Sequence, residues 1–284
     1  MNVYVIGITG FVGSGISSYL KDLGFKVSGI YRKDFNDSII LKKKIEDSDV
    51  IINISGKSIA GLWTKKRKKD IYLSRIVVTR KIVEIINESH KEFLFINASA
   101  VGIYDNKHKH TEESKSYEVS FLADVINDWE REVYQINNRR VRWIILRMGI
   151  VISKKGGYMG KIDFMLKRKI CIIIGKRDEY LPIISLEELG SIIHFIINSE
   201  RINGIVNAVS VFQVKTIDFY RALRETEESK ICIKIPDILI KLFFREASIM
   251  FLKGQQVIPE KLLKNGFQFK NRDIYDLLNS LPNS

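Results

Sequence analysis

The sequence predicts an α/β fold, a doubly wound parallel sheet with a small mixed C-terminal cap region. Three observations support this prediction. Apolar runs alternate with amphipathic runs, a glycine-rich turn joins the first such pair, and the alternation loosens after about residue 200. Short apolar runs that alternate with amphipathic helices are typical of a parallel sheet with helices on both faces.

The apolar runs and the amphipathic runs give the elements in order. The predicted strands are 2–7, 26–31, 49–54, 93–98, 141–147 and 170–174. The predicted helices between them are 14–23, 38–46, 66–89, 119–137 and 186–199. Gly24 is placed as the C-cap of the first helix.

The last part of the chain is punctuated by Pro236, Pro259 and Gly266. It contains short predicted helices, 237–246 and 272–281 among them. We therefore predict one domain over 1–230, with insertions on the substrate side after about residue 150. A small C-terminal domain over 231–284 follows it.

A glycine-rich turn connects the first strand to the first helix. Glycines let the backbone turn tightly and approach a pyrophosphate, and the helix N-terminus offers free N–H groups to the phosphates. The strand-then-helix context makes this motif specific. The residues predicted to bind a dinucleotide here are Gly7, Thr9, Gly10, Phe11, Val12 and Gly13.

Length and composition narrow the class of protein. The chain has 284 residues, of which 45% are hydrophobic, and no apolar run approaches the length of a membrane span. The first predicted strand starts at residue 2, which leaves no room for a targeting segment. We therefore expect a cytoplasmic protein that does not contact a membrane.

The two cysteines, Cys171 and Cys232, both lie in apolar, strand-like runs far apart in the sequence. We interpret them as reduced core residues rather than as a disulfide or a metal-binding pair. The few histidines show no metal-ligand spacing. No metal site is expected.

The formal net charge is +13, and the densest basic cluster is Lys65–Lys69. Such a charge is compatible with nucleic acid or an anionic surface. The cluster lacks the interleaved aromatic residues of a single-strand platform, and no known nucleic-acid-binding motif is present. We favour solvated helix faces, so a nucleic-acid partner is not expected.

The second predicted strand ends in Tyr31, Arg32 and Lys33. NAD sites usually place an acidic residue there for the ribose 2′-hydroxyl. A guanidinium at this point can instead bind a 2′-phosphate through paired hydrogen bonds. We therefore predict that NADP(H) is preferred over NAD(H), with Arg32 as the specificity residue. If the strand ends later, Asp34 takes the NAD role.

Together these residues resemble the extended short-chain dehydrogenase/reductase superfamily, which has the Rossmann fold, and within it the epimerase family proteins related to nucleotide-sugar epimerases. The resemblance covers essentially the whole chain. Its landmarks are Gly7–Gly13, Asn53–Gly56, Trp63, Ser74–Arg75 with Thr79, Ser99–Tyr104, Phe121–Leu122 with Trp129–Glu130, Leu146–Gly149, Gly156–Gly157, Gly254–Pro259 and Gly266–Phe269. The resemblance implies NADP(H) binding and a C-terminal domain specific to the family.

Several of these landmarks end predicted strands, at the edge where ligands bind in open α/β sheets. Asn53, Ser55 and Gly56 end the third strand and are predicted to lie against the adenosine side of the dinucleotide, or to form a simple strand-end turn. Ser99 ends the fourth strand. Its hydroxyl is predicted to hold a substrate oxygen and to border the cofactor.

The remaining candidates carry open alternatives. Tyr104 is a second candidate catalytic residue. Arg147 either contacts a cofactor phosphate or pairs with a buried carboxylate. Trp129 is interpreted as packing, and Glu130 as a residue that orients a neighbour.

The Tyr-x-x-x-Lys pair, in which the lysine lowers the pKa of the catalytic tyrosine, is missing from the matching helix. Phe121 stands four residues after Tyr117, and the helix continues Leu122–Ile126. The epimerase-like group itself commonly lacks this pair. The superfamily's usual proton donor is therefore absent.

A second departure follows Pro182. Relatives often carry Trp-Ile-His and then Asp after this proline, whereas Ile183, Ser185 and Glu188 occupy the corresponding positions here. The aromatic and imidazole groups that would line the substrate side are absent, so the identity of the substrate is not transferable from the relatives.

These observations leave two principal hypotheses. The first is an NADP(H)-dependent oxidoreductase or epimerase-like enzyme of unknown substrate. The alternative is a non-catalytic NADP(H)-binding sensor or interaction protein. A homodimer through helix faces such as 66–89 and 119–137 is compatible with both.

Overall fold

The computed structural model describes residues 1–282, apart from the side chains of Tyr158 and Lys161. Its strands are β1 (Asn2–Ile6), β2 (Lys26–Ile30), β3 (Val50–Asn53), β4 (Phe93–Ala100), β5 (Lys109–His110), β6 (Val141–Met148), β7 (Ile150–Ser153), β8 (Ile170–Ile173), β9 (Ile183–Ser185), β10 (Gly204–Ala208), β11 (Ile231–Lys234) and β12 (Gln256–Val257).

The α-helices are α1 (Phe11–Asp22), α2 (Ser38–Asp47), α3 (Lys65–Glu88), α4 (Phe121–Val133), α5 (Gly157–Leu166), α6 (Leu186–Asn198), α7 (Thr216–Thr226), α8 (Asp237–Phe244), α9 (Ile249–Leu252), α10 (Glu260–Lys264) and α11 (Ile274–Ser280). Short 3₁₀ turns cover Arg32–Asn36, Val101–Ile103 and Arg245–Ser248. Searched over the described residues, the chain contains no helix that is both long and apolar enough to cross a bilayer.

Six parallel strands form the central sheet in the order β10-β6-β4-β3-β1-β2. β2 lies on one side of β1, whereas β3, β4, β6 and β10 follow in turn on the other side. The strand order therefore reverses between β1 and β3. The β4–β6 pair runs in register from Phe93 opposite Val141 to Ala100 opposite Met148. The predicted doubly wound Rossmann fold is confirmed.

Both faces of this sheet are apolar and covered. On one face, side chains of β1, β3 and β4 pack against α1 and α6, through residues such as Ile16 and Ile192. On the other face, the sheet packs against α2 and α3, through residues such as Ile45 and Ile82. Successive side chains of a strand point to opposite faces of the sheet, and here helices cover both faces. The strands therefore have nearly continuous apolar sequences.

The sixth strand of the sheet was not the one predicted. The run 170–174 forms β8, which pairs with β11 in a separate two-stranded sheet. The sixth central strand is β10, beside β6. β10 begins with a glycine and carries the buried polar residue Asn207, so it lacks the apolar signal by which the other strands were predicted.

A second core lies beside the sheet. It is built from β7, α5, β8 and α7 and is closed by the C-terminal helix α11, where Ile274 and Leu277 join Phe219 and Leu223. The chain after residue 230 therefore packs against the part that precedes it.

Two buried carboxylates fasten this C-terminal region to the rest of the chain. Glu112 accepts hydrogen bonds from the backbone N–H groups of Asn207, at 3.0 Å, and of Lys261, at 3.2 Å. Glu188 accepts from the backbone N–H groups of Lys270, at 2.8 Å, and of Asn271, at 3.2 Å. Each acid is thus satisfied by backbone donors that lie far from it in sequence.

The cysteines are register partners on neighbouring strands, Cys171 on β8 and Cys232 on β11. Both are free thiols. Cys171 is buried, as predicted, but Cys232 is exposed, so its placement in the core was wrong. The reason is that β11 is a short strand with exposed residues, although its sequence is as apolar as that of a core strand.

Candidate functional site

The glycine-rich turn is packed as tightly as the sequence predicts. Gly7 adopts φ +88° at the end of β1, and its carbonyl accepts a hydrogen bond from the N–H of Gly10 at 2.9 Å. A Cβ on Gly13 would lie 2.1 Å from the oxygen of Gly7, so no larger residue fits there. The turn therefore brings the start of α1 directly onto the end of the strand.

The N-terminus of α1 is open. Its N-cap is the exposed Gly10, and among the described residues no side chain caps this end. Thr9 is also exposed, whereas Val12 packs on the core of the sheet. Free N–H groups and the positive end of the helix dipole favour an anion at this position.

Phe11 joins this turn to a later landmark. A Cβ on Gly156 would lie 2.4 Å from its ring, and one on Gly157 would lie 2.7 Å from it. The two glycines at the start of α5 therefore lie against the Phe11 ring. This packing brings the start of α5 next to the glycine-rich turn.

Asn53 lies at the end of β3 and is fully buried. Its Nδ2 donates to Asn97 Oδ1 at 2.7 Å, and its Oδ1 accepts from Ser55 Oγ at 2.6 Å. Thr79 Oγ1 accepts from the same amide and from Trp129 Nε1. Asn53 thus holds the strand end and orients Ser55, and the packing role expected for Trp129 is confirmed.

Gly56 is exposed and lies against Arg75 of α3. A Cβ on Gly56 would be 2.9 Å from the guanidinium carbon. Arg75 Nη1 donates to the carbonyls of Lys57 and Ile71 at 3.1 Å each. Burial lowers the pKa of Arg75 to about 10. From the sequence, Arg75 is only a landmark of the family resemblance, because a long loop separates it from Gly56 and hides their contact.

Ser99, Glu130 and Arg147 form a buried cluster at the carboxyl end of β4 and β6. Ser99 and Arg147 are register partners, and the Ser99 hydroxyl donates to Glu130 Oε1. Arg147 donates to the same carboxylate from Nε at 2.8 Å and from Nη2 at 2.6 Å. Although burial opposes the charge on Arg147, Glu130 raises the pKa of the guanidinium.

This arrangement favours the second of the two alternatives for Arg147, pairing with a buried carboxylate. The guanidinium is 1% exposed and forms an ion pair with a buried carboxylate. It does not lie open to a cofactor phosphate, so the predicted cofactor contact of Arg147 is not supported. The orienting role expected for Glu130 is present, since Glu130 holds both Ser99 and Arg147.

Tyr104 extends the cluster inward. Its hydroxyl lies 2.8 Å from Arg147 Nη1 and 2.9 Å from Asn207 Oδ1, and its ring stacks on His110 with centroids 4.6 Å apart. Burial raises the pKa of Tyr104, although Arg147 opposes the shift. The side chain is fully buried. This geometry favours a positioning role for Tyr104 over the predicted catalytic one.

The end of β2 presents cations. Arg32 and Lys33 are exposed, whereas Asp34 is only 4% exposed. The Asp34 carboxylate accepts from the backbone N–H of Tyr31 at 2.7 Å and pairs with Lys44 at 2.6 Å. Although burial opposes ionisation, these two donors lower the pKa of Asp34. Asp34 therefore closes the turn, and its carboxylate is already engaged.

The helix that would carry Tyr-x-x-x-Lys carries apolar contacts instead. The Phe121 ring packs edge-on against Trp63, with centroids 5.3 Å apart, and Val125 is buried.

Ser185 caps α6 by accepting from the N–H of Glu188 at 3.1 Å. The residues that depart from the relatives after Pro182 therefore have structural contacts. Among the described residues, no group of acidic, histidine and cysteine side chains is placed to bind a metal.

Comparison with known families agrees with this geometry. The model of the "NAD dependent epimerase/dehydratase family" matches residues 3–187, more than half of the chain. The chain belongs to this family. A second model, described as a domain of unknown function (DUF1731), matches residues 235–281.

Similar proteins span the whole chain. Epimerase family protein SSP1921 of Staphylococcus saprophyticus is 30% identical over 300 residues, covering 99% of each chain. Epimerase family protein YfhF of Bacillus subtilis is 27% identical over 297 residues, covering 99% of this chain and 98% of the relative. These matches confirm the resemblance to the epimerase family proteins.

Solved structures share the fold. Human epimerase family protein SDR39U1, determined with NADPH, superposes with a TM-score of 0.89 at 21% identity and 99% coverage of both chains. A nucleoside-diphosphate sugar epimerase from Corynebacterium glutamicum superposes with a TM-score of 0.77 at 24% identity, over 98% of this chain and 57% of the other.

Proposed function

We propose that this protein is an NADP(H)-dependent oxidoreductase or epimerase-like enzyme. The observation that carries the proposal is the pairing of an open helix N-terminus at Gly10 with an exposed Arg32 at the end of β2. In a doubly wound sheet these two positions flank the adenosine end of a bound dinucleotide. The NADPH present in the human SDR39U1 structure supports the same proposal.

The preference for NADP(H) rests on charge. Arg32 and Lys33 offer a guanidinium and an ammonium to a 2′-phosphate. The carboxylate that would select a 2′-hydroxyl, Asp34, is engaged by Lys44 and by the backbone of Tyr31. The exposed cations at the end of β2 therefore favour binding of a 2′-phosphate.

In the proposed enzyme, a bound dinucleotide would supply hydride-transfer chemistry, and the side chains at the carboxyl edge of the sheet would orient the substrate. Ser99 is the candidate substrate-binding residue. Ser99 is 2% exposed and donates its hydroxyl proton to Glu130, so only its lone pairs would remain to accept a hydrogen bond from a substrate hydroxyl that reaches this edge of the sheet. The Glu130–Arg147 ion pair fixes the orientation of the Ser99 hydroxyl. Because Tyr-x-x-x-Lys is missing, a water molecule or a substrate group exchanges the proton.

The test is a fluorescence titration of the full chain with NADPH and with NADH. Arg32→Ala is expected to weaken NADPH binding by about tenfold to a hundredfold, because a charge-assisted hydrogen bond is lost. NADH binding is expected to change little. Arg139→Ala, which removes an exposed arginine from the loop before β6, is the matched control. Equal binding of both dinucleotides by the original protein would contradict the NADP(H) preference.

The second candidate is a non-catalytic NADP(H)-binding protein. It is favoured by the apolar packing of Phe121 and Val125 at the positions of the missing catalytic pair. NADPH oxidation against a broad panel of carbonyl compounds separates the candidates. Turnover that is lost in Ser99→Ala while NADPH still binds supports the enzyme, whereas tight NADPH binding without turnover of any compound supports the second candidate.

A further inference from the structure

The C-terminal region carries a large exposed apolar surface, which we call the α8 surface. Its members are bulky aliphatic or aromatic residues on β11 and α8 whose side chains are at least 39% exposed: Ile231, Ile233, Ile238, Leu239, Leu242 and Phe243. Several large exposed apolar side chains in one short segment of a folded protein are typical of an interaction site.

Helix geometry places the α8 residues together. Ile238 and Leu242 are four residues apart and are 71% and 68% exposed, and the Leu239–Phe243 pair lies beside them with the same spacing. Ile240, on the other side of the helix, is 2% exposed and anchors it. The helix is therefore held by one side while its apolar side faces outward.

The two-stranded sheet that precedes α8 in the chain adds further exposed apolar residues. Ile231 and Ile233 alternate along β11, so they share one face of the sheet, and their register partners on β8 are Ile170 and Ile172. Cys171, whose side chain points to the opposite face, is buried against the second core. The isoleucine face thus points away from the core, two residues before α8 begins.

Exposed cations are interspersed with the apolar residues in sequence. The exposed basic residues of the same segment are Lys230, Lys234, Lys241 and Arg245. Glu246, just after α8, pairs with Lys68, the fourth residue of α3. This contact brings the densest basic cluster of the sequence, Lys65–Lys69, next to the end of α8. Lys65, Lys66 and Lys69 are exposed there.

In contrast to the expectation from the sequence that the protein does not contact a membrane, we propose that the α8 surface binds the headgroup region of an anionic phospholipid bilayer. Apolar side chains on one side of a helix, with cations around them, are the features by which an interfacial helix inserts while its charges contact anionic lipid. A second copy of the chain fits less well, since a two-fold contact would bring the same cations of two molecules, each of net charge +13, against each other.

The proposed contact is peripheral. α8 has eight residues and is about 12 Å long, far shorter than a membrane span. It would lie in the plane of the interface. The contact also gives a role to the positive charge that dinucleotide binding leaves unexplained, and it does not depend on the proposed enzymatic function.

Co-sedimentation of the full chain with vesicles tests this proposal. Binding is expected with equimolar phosphatidylglycerol and phosphatidylcholine at low salt, to weaken as salt rises, and to be at least about tenfold weaker with phosphatidylcholine alone. The double variants Ile238→Ser/Leu242→Ser and Lys65→Gln/Lys66→Gln are each expected to weaken binding about tenfold.

Two control variants remove the same kinds of groups elsewhere. Ile39→Ser/Val119→Ser removes two aliphatic residues that are 79% and 92% exposed, and Lys42→Gln/Lys43→Gln removes two charges from the second lysine cluster. Both are expected to bind within about twofold of the original protein. Equal loss in the test and control variants, or no vesicle binding at all, overturns the proposal. Self-association by light scattering that is lost in Ile238→Ser/Leu242→Ser, without vesicle binding, would assign the surface to a second copy instead.

Discussion

Arg147 and Glu130 form a two-pronged ion pair inside the protein, with Nη2–Oε2 and Nε–Oε1 separations of 2.6 and 2.8 Å. The pair connects the end of β6 to α4, and it also holds the hydroxyl of Ser99. Charges removed from water at this depth are stable only with all their partners in place. The orientation of the candidate substrate-binding residue therefore depends on both members.

Removing one member of this pair is expected to destabilise the fold. Arg147→Met leaves Glu130 buried without its cation, so the free energy of unfolding should fall by about 3–5 kcal/mol. Urea denaturation measures this loss. Asp218→Asn breaks the exposed Arg221–Asp218 pair and is expected to cost less than about 1 kcal/mol. Similar losses in the two variants would show that the buried pair has no special weight.

Gly13→Ala is expected to abolish dinucleotide binding. The added methyl group would lie 2.1 Å from the Gly7 carbonyl oxygen, which forces the turn to open and displaces the N-terminus of α1. Gly24→Ala is the control at the other end of the same helix. It introduces a side chain at φ +85° with nothing within 4 Å, so it should cost about 1 kcal/mol of stability and leave binding unchanged. NADPH titration and thermal unfolding separate the two effects.

Glu188 is expected to make stability depend on pH. Burial raises the pKa of Glu188, although hydrogen bonds from Asn271 and Lys270 oppose the shift. Because the pKa is raised in the folded state, protonated Glu188 makes its full contribution to stability below the pKa of the unfolded state. This contribution is lost as the pH rises through the pKa of the folded state. Glu188→Gln should therefore gain stability relative to the original protein between pH 4 and pH 8, by about 1.4 kcal/mol per unit of pKa difference.

The neighbouring acid provides the control for this pH effect. Glu187 is exposed and pairs with Lys270 at the surface. Glu187→Gln is expected to follow the original protein in urea denaturation across the same pH range, within about 0.5 kcal/mol. A pH-independent difference between Glu188→Gln and the original protein would show that Glu188 has the same pKa in the folded and unfolded states.

The two thiols are expected to react at very different rates. Cys232 is exposed, whereas Cys171 is buried, and burial raises the pKa of its thiol to about 12, with Cys232 adding to the shift. N-ethylmaleimide at pH 7.5 should add one group quickly, and Cys232→Ser should remove that fast reaction. Mass spectrometry counts the added groups. Rapid labelling of Cys171 in the folded Cys232→Ser variant would contradict the buried position of that thiol.

Much of the fold was predictable because its signals are local. Strand β1, the glycine-rich turn and α1 are adjacent in sequence, and each has a periodicity or a turn that predicts it. The placement of β8 and β11 was not predictable in this way. Their apolar runs resemble core strands, and only contacts across 61 positions of sequence, as between Cys171 and Cys232, determine that they pair outside the central sheet.

The same difference between local and long-range signals applies to the residues of the candidate site. Ser99 and Arg147 were identified because each ends a predicted strand, and Glu130 as a landmark on a predicted helix. The structure brings the three together. The burial of Tyr104 was not foreseen, since its partner Asn207 comes from β10, which has no clear apolar pattern. Asp34 was ambiguous in sequence because its role depends on whether Lys44 of the following helix reaches it.

Glu112 and Glu188 have a consequence for how the chain is divided. Peptide N–H groups from beyond residue 230 supply one of the two backbone hydrogen bonds to Glu112 and both of those to Glu188. A truncated chain that ends at residue 230 would retain both acids but lose these donors, and it would also lose the apolar cover that α11 gives to the second core. The C-terminal segment therefore supplies hydrogen-bond donors to buried acids of the preceding region and covers part of its core. The two regions are expected to unfold together.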